Sequence, residues 1–119
     1  MCTANKRCAN ETRKSYDAAW QRYCKAFDDA TSMPEGSEAQ SLAAGRMIVA
    51  ERAFTETRVQ HAMTPAGRRE IELERDELIR DEGPGSWDAA ECQSAINRAE
   101  LRAELADPAG PWASLGGSR

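Results

Sequence analysis

The chain has few bulky apolar residues for its length. Leucine, isoleucine, valine and phenylalanine together account for 14 of 119 residues, which is below the roughly 20% level typical of ordered domains. No apolar run approaches the roughly 18 residues that a membrane span needs, so we do not expect a membrane protein. The first residues contain no apolar segment of the kind found in secretory signals. We therefore expect a cytoplasmic protein.

Sequence motifs that usually carry catalysis are also missing. The chain contains no C-x-x-C pair, no glycine-rich phosphate loop, no nucleophile elbow and no dinucleotide fingerprint. A dinuclear metal site in a helical bundle would need Glu-x-x-His pairs, and the single histidine, His61, is not part of one. We therefore expect neither an enzyme nor a resident cofactor.

Alanine is abundant instead, at 21 of 119 residues. Alanine loses no side-chain entropy in a helix and is the strongest helix former, and no segment shows the alternation of a strand. The pattern predicts an all-α fold of about four helices, near residues 10–31, 37–63, 65–82 and 87–106, in a mostly antiparallel bundle. Residues 1–107 would form one domain, and residues 108–119 an irregular tail. Because such a core is thin, a partner protein or a second copy in a homodimer would be needed to cover the remaining apolar faces.

Specific residues mark the predicted helix ends. Asn10, Ser37, Thr64 and Ser86 are each suited to an N-cap, and Gly83 to a left-handed C-cap. Aromatic residues recur at helical spacing along the first helix and predict a buried stripe of Tyr16, Trp20, Tyr23 and Phe27. In the second helix the same spacing predicts a buried face widened by Leu42, Val49 and Ala53.

Charge is distributed unevenly along the chain. Residues 1–27 contain six basic and two acidic groups, whereas residues 70–107 contain four basic and twelve acidic groups. The basic groups of the first segment suggest, as one alternative, a nucleic-acid-linked regulator. The pI of the whole chain, near 5.1, makes direct nucleic-acid binding an unfavoured alternative. These basic residues are Lys6, Arg7, Arg13, Lys14, Arg22 and Lys25.

Four acidic residues of the predicted third helix share one face. They are Glu70, Glu74, Glu77 and Asp81. Arginines interleave with them, so one interpretation is a solvated face of side-chain ion pairs. The functional interpretation is that these four residues bind a basic surface of a partner protein.

The four cysteines allow a second alternative. Cys2, Cys8, Cys24 and Cys92 have no zinc-ligand spacing, and in a reducing compartment four free thiols are the expected state. A zinc site of Cys2, Cys8, Cys24 and His61 is the metal alternative. A thiol-active protein is a related alternative, because Lys6 and Arg7 would lower the pKa of the neighbouring Cys8 thiol in a first helical turn.

Two short stretches resemble a group of known proteins. The segment MCT followed by RC, and TPAGRREIE after a long helix, are similar to small helical accessory proteins of actinobacterial phages and plasmids. The residues that carry this resemblance are Cys2, Thr3, Arg7, Cys8, Thr64, Pro65 and Gly67. The group often has Gly-Pro between the two cysteines, whereas this chain has Ala4-Asn5-Lys6.

The resemblance implies an accessory protein of a mobile element. Many such proteins bind and block proteins of the host. We therefore expect a non-enzymatic helical protein-interaction module, and its most concrete form is an inhibitor of a host defence complex, such as an anti-CRISPR protein.

Overall fold

The computed structural model describes the backbone of residues 2–107 and the side chains of residues 10–107. Within that range the chain forms four α-helices and no strand: α1 (Cys2–Ser32), α2 (Glu38–Ala62), α3 (Pro65–Glu82) and α4 (Trp87–Ala106). The predicted all-α fold of four helices is therefore confirmed. In the same range no helix combines the length and the apolar character that a membrane span requires. The predicted tail, residues 108–119, lies outside the described residues.

Three of the predicted N-caps hold their helices by side-chain hydrogen bonds. The hydroxyl oxygens of Ser37, Thr64 and Ser86 accept from the backbone N–H three residues later, at 3.1, 3.0 and 3.2 Å. Gly83 ends α3 with a φ of +91°, a conformation that favours glycine. These caps explain why the last three helices begin and end within one residue of the prediction.

The predicted start of α1 is wrong. The helix begins at Cys2, and Asn10 lies inside it instead of capping it. Residues 2–9 contain neither glycine nor proline and include good helix formers such as Ala4 and Lys6, so nothing in them interrupts a helix propagating from residue 10.

The four helices pair as two antiparallel hairpins, and α2 packs against each of the other three helices. The hairpin of α1 and α2 aligns Thr12 with His61 and Tyr16 with Arg58. The hairpin of α3 and α4 lies across the half of α2 that ends at Ala62. Among the described residues, no apolar cluster joins α3 or α4 to the other half of α2, which begins at Glu38.

The main apolar cluster, hereafter the closed core, lies where α2, α3 and α4 meet. Its residues are small or aliphatic and almost fully enclosed, with the half-buried Leu78 at its edge. The closed core consists of Val59, Ala62, Ile71, Cys92, Ala95, Ile96 and Ala99.

An ion pair and a hydrogen bond join α4 to its neighbours around the closed core. Both terminal nitrogens of Arg102 donate to the carboxylate of Glu56 on α2, each at 2.7 Å. The hydrogen bonds from Arg102 hold the pKa of the Glu56 carboxyl below its usual value. On the other side, Arg75 of α3 donates to the Gln93 side chain of α4 at 2.6 Å.

The predicted widening of the buried α2 face is wrong. Leu42, Val49 and Ala53 are all exposed, Val49 to 67%. Ala43 and Phe54 on the same helix are buried. The difference arises because the closed core contains only the last turns of α2, and no apolar cluster of the described residues covers the outward side of its earlier turns.

Candidate functional site

A groove lined by aromatic rings lies between the α1–α2 hairpin and the first turn of α4. Its volume is about 470 Å³. It contains five of the seven aromatic residues of the chain, and we call it the aromatic groove. The five residues are Trp20, Tyr23, Phe27, Phe54 and Trp87.

The rings of α1 are held in place around Phe54 of α2. The Trp20 ring centroid lies 5.1 Å from that of Phe54, and the Tyr23 ring stacks almost parallel to it at 6.1 Å. Tyr16 stacks on the same phenylalanine at 5.2 Å. Aromatic pairs at such separations stabilise each other beyond simple burial, so this wall of the groove is ordered without a ligand.

The predicted burial of the aromatic stripe is only partly confirmed. Tyr16 is buried and Tyr23 is half-buried, but Trp20 remains 49% exposed and Phe27 46% exposed. Trp87 on α4 is 85% exposed. The stripe packs on α2 with one edge, and its other edge faces the aromatic groove, because α1 and α4 make little contact.

Carboxylates surround the aromatic groove, and we call them the acidic rim. They come from α1, α2 and α4, and none forms an ion pair with another residue in the part of the chain whose side chains are described. Burial raises the pKa of the Tyr23 phenol, and the negative charges of Glu51 and Asp88 raise it further. The acidic rim consists of Asp28, Glu51, Asp88 and Glu91.

The floor of the groove contains a buried arginine. The Arg58 guanidinium carbon lies 4.5 Å from the Phe54 ring centroid and 5.9 Å from that of Tyr16. Its Nε donates to the Tyr16 hydroxyl at 3.3 Å, and that hydroxyl donates to Glu74 at 3.3 Å. Burial raises the pKa of Tyr16, and the positive charge of Arg58 opposes that increase. The aromatic rings thus already bind one guanidinium of the chain itself.

His61 is enclosed within the fold. The Thr12 hydroxyl lies 2.7 Å from its Nδ1, and its Nε2 donates to the Glu70 carboxylate at 2.8 Å. The imidazole also stacks on Tyr16, with ring centroids 5.8 Å apart. With no exposed surface and both nitrogens engaged, His61 holds α1, α2 and α3 together and has no route to a substrate.

The four acidic residues proposed from the sequence do not form one uniform surface. Glu70 contacts His61, and one of its oxygens lies 3.6 Å from Arg13. Glu74 accepts from Tyr16, whereas Glu77 and Asp81 are exposed. The first two carboxylates therefore join α3 to the first hairpin, and the last two face solvent.

The cysteines of the zinc alternative are far apart along α1. Cys8 and Cys24 are 16 residues apart in one continuous helix, which separates them by about 24 Å. Thr12 contacts His61, so Cys24 lies about 18 Å further along α1 than the turn that contacts His61. The side chains of Cys2 and Cys8 lie outside the described part. Across the described side chains, no three His, Cys, Asp or Glu residues are grouped to hold a metal ion.

The basic residues of α1 have different surroundings. Arg13 pairs with Asp17 at 3.1 Å and lies near Glu70. Lys14, Arg22 and Lys25 are exposed. The side chains of Lys6 and Arg7 lie outside the described residues.

Comparison of the chain with models of protein families, with curated proteins and with solved structures finds no match. Within the described residues, the aromatic groove combines exposed aromatic rings with unpaired carboxylates on one surface.

Proposed function

We propose that this protein is a non-enzymatic helical module that binds another protein through its aromatic groove. The observation that carries the proposal is the exposure of Trp20, Phe27 and Trp87 around one groove. Tryptophan is enriched among the residues that dominate protein–protein binding energies. A chain with so few bulky apolar residues that leaves these rings in water has surface available for a partner.

The surroundings of the reactive groups support a non-enzymatic role. His61 and Cys92 have no exposed surface. Burial raises the pKa of the Cys92 thiol to about 11, away from the range that favours a nucleophilic thiolate. Neither group therefore has the solvent access of a catalyst, and Cys92 also lacks the thiolate population of a nucleophile at neutral pH.

The class of partner follows from charge and from the resemblance noted above. A host protein or protein complex with a basic surface fits the acidic rim, and the exposed Glu77 and Asp81 of α3 form a separate acidic surface that is the alternative contact for such a partner. If the resemblance to phage and plasmid accessory proteins reflects common function, a host defence complex such as a CRISPR effector is the first partner to test.

Other occupants of the exposed surface remain as alternatives. A second copy of the chain could cover the outward side of α2, where Leu42 and Val49 are exposed. A nucleic acid would approach the exposed Arg22 and Lys25, and not the acidic groove. A zinc-stabilised or thiol-active form would depend on Cys2 and Cys8.

The proposal is tested by affinity capture with a groove variant and a matched control. In the groove variant, Phe27→Ser and Trp87→Ser remove two exposed rings. This variant and the control described next should both retain the helical circular dichroism of the wild type. In the control, Leu73→Ser and Leu105→Ser remove two other exposed apolar side chains, which are 59% and 57% accessible.

We expect the wild type and the control to retain the same partner and the groove variant to lose it. Hot-spot residues of this kind contribute about 2 kcal/mol or more each, so removing two of them should lower the affinity for the purified partner by about a thousandfold. Equal affinity of all three proteins for that partner would refute the groove as the binding surface.

A further inference from the structure

The composition of the aromatic groove indicates which side chain it accepts. We propose that it binds an arginine side chain presented by a segment of the partner protein, with the guanidinium against the exposed indoles and within the acidic rim. This inference rests on the proposed function and specifies its ligand chemistry.

The first argument is charge complementarity. The groove is lined by four carboxylates and one guanidinium, so its lining is strongly anionic. The carboxylates are not neutralised by ion pairs among residues 10–107. An apolar ligand would desolvate them without compensation, and an acidic ligand would be repelled. A cation is the ligand that stabilises all four.

The second argument is the face of the aromatic rings. A ring face attracts a cation placed within about 6 Å of the centroid, and tryptophan does so most strongly. Trp20 and Trp87 line the groove, and their side chains are 49% and 85% exposed. The chain already uses this chemistry in the same groove, where Arg58 lies over Phe54.

The shape of the ligand favours arginine over lysine. A guanidinium is planar, is less strongly hydrated than an ammonium group, stacks on aromatic rings and donates to two carboxylate oxygens at once. The groove combines stacking surfaces with carboxylates on three different helices, so a planar group with several donors fits it better than a point charge.

The test compares three peptides that differ only in one type of side chain. The first peptide is based on glycine and serine and contains two arginines. The second peptide has citrulline in place of each arginine, and the third peptide has glutamate in place of each arginine. Citrulline keeps the planar shape and most donors but has no charge. Isothermal titration calorimetry against the purified protein at low salt gives the three affinities.

We expect the arginine peptide to bind about tenfold or more tightly than the citrulline peptide, and the glutamate peptide not to bind. The affinity for the arginine peptide should also fall as salt is added. Equal affinities for the arginine and citrulline peptides, or no binding of the arginine peptide, would overturn the proposal.

Two pairs of charge variants locate the binding. Glu51→Gln with Glu91→Gln neutralises two carboxylates of the acidic rim, whereas Glu77→Gln with Asp81→Asn neutralises two exposed carboxylates of α3. We expect the first pair to weaken binding of the arginine peptide by about tenfold and the second pair to leave it nearly unchanged. The opposite result would place the cation on α3 and refute this assignment.

The outcome separates this inference from the proposed function. If a purified partner is lost on Phe27→Ser with Trp87→Ser but is retained by Glu51→Gln with Glu91→Gln, the groove binds a protein and the arginine assignment is wrong. If neither pair changes partner binding, both proposals fail.

Discussion

The closed core and the aromatic groove are built on the same helix, α2, yet they differ in almost every physical respect. Around Val59, three helices meet and exclude water from small and aliphatic side chains. Around Phe54, five residues away, the side chains are large and aromatic. About half of the surface of Trp20 and Phe27 on α1 remains exposed there. The apolar side chains are enclosed in the first region and partly exposed to solvent in the second.

The difference follows from where α4 lies. Its residues from Cys92 onwards pack against the last turns of α2, whereas its first residue, Trp87, only borders the groove. Alanines suffice where helices approach closely from several sides. Where two helices alone pair, rings must supply the contact area, and their outer faces remain available. In this protein, therefore, the closed core and the groove proposed for binding are separate regions.

The largest contrast we predict is in the reactivity of two thiols. Cys24 lines the aromatic groove and Cys92 lies in the closed core. Because burial raises the pKa of Cys92 from 9.0 to about 11, its thiolate fraction at pH 8 falls by about a hundredfold, and enclosure slows the reaction further. We expect Cys92 to be alkylated at least about a hundredfold more slowly in the native protein than in denaturant, as measured by mass spectrometry of the cysteine-containing peptides.

Cys24 provides the internal control for that measurement. Its thiol is partly exposed in the groove, so its native rate should stay within about tenfold of its rate in denaturant. If Cys92 reacted as fast as Cys24 in the native protein, the closed core would not exclude solvent from the Cys92 thiol.

The second prediction compares the stability of the two regions. Ile96→Ala removes a buried side chain from the closed core and should lower the free energy of unfolding by about 3 kcal/mol. Trp87→Ala removes a larger side chain, but one that is 85% exposed, and should change it by less than about 0.5 kcal/mol. Urea unfolding followed by circular dichroism gives both values.

The proposed roles require this order. Trp87 is available to a partner only if the fold does not depend on it. A loss of stability for Trp87→Ala comparable to that for Ile96→Ala would mean that the indole belongs to the core, and would contradict the proposed groove.

The helices of this chain could be predicted because their signals are local. A cap such as Ser37 or Ser86 acts on a backbone N–H three residues away, and the spacing of aromatic side chains is a property of one helix. The same spacing does not reveal how many neighbours a helix has. For this reason the spacing predicted that Val49 and Trp20 are buried, whereas both are exposed in the structure.

The candidate site could not be predicted because it is assembled from three helices. Asp28, Glu51 and Asp88 are far apart in sequence, and only the folded arrangement brings them around one groove. A single signal was available: Trp87 directly follows the N-cap Ser86, in the first turn of a helix. The partner-binding role of the four acids on α3 stays a prediction, and the sequence could not show that Glu70 and Glu74 contact side chains of the first hairpin.

The last predictions concern two glycines. Gly45 lies in the first half of α2, and Gly67 lies in the first turn of α3, at the corner that follows α2. A Cβ at Gly67 would overlap the backbone oxygen of His61, and would also meet the Thr64 hydroxyl, whereas nothing lies within 4 Å of a Cβ at Gly45. Gly67→Ala should therefore lower the free energy of unfolding by about 2 kcal/mol. Gly45→Ala should raise it by up to about 1 kcal/mol, since alanine favours a helix interior.

The pair measures how closely each half of the molecule is packed. Gly67 lies at the corner of α2 and α3 beside the closed core, and its substitution forces His61 away from Thr12 and Glu70. Gly45 lies in the half of α2 that the closed core does not reach. Thermal unfolding of both variants gives the values. A stabilised Gly67→Ala would show that the corner can relax freely, and a destabilised Gly45→Ala would show that the open half has a neighbour, such as a second copy of the chain, that the monomer lacks.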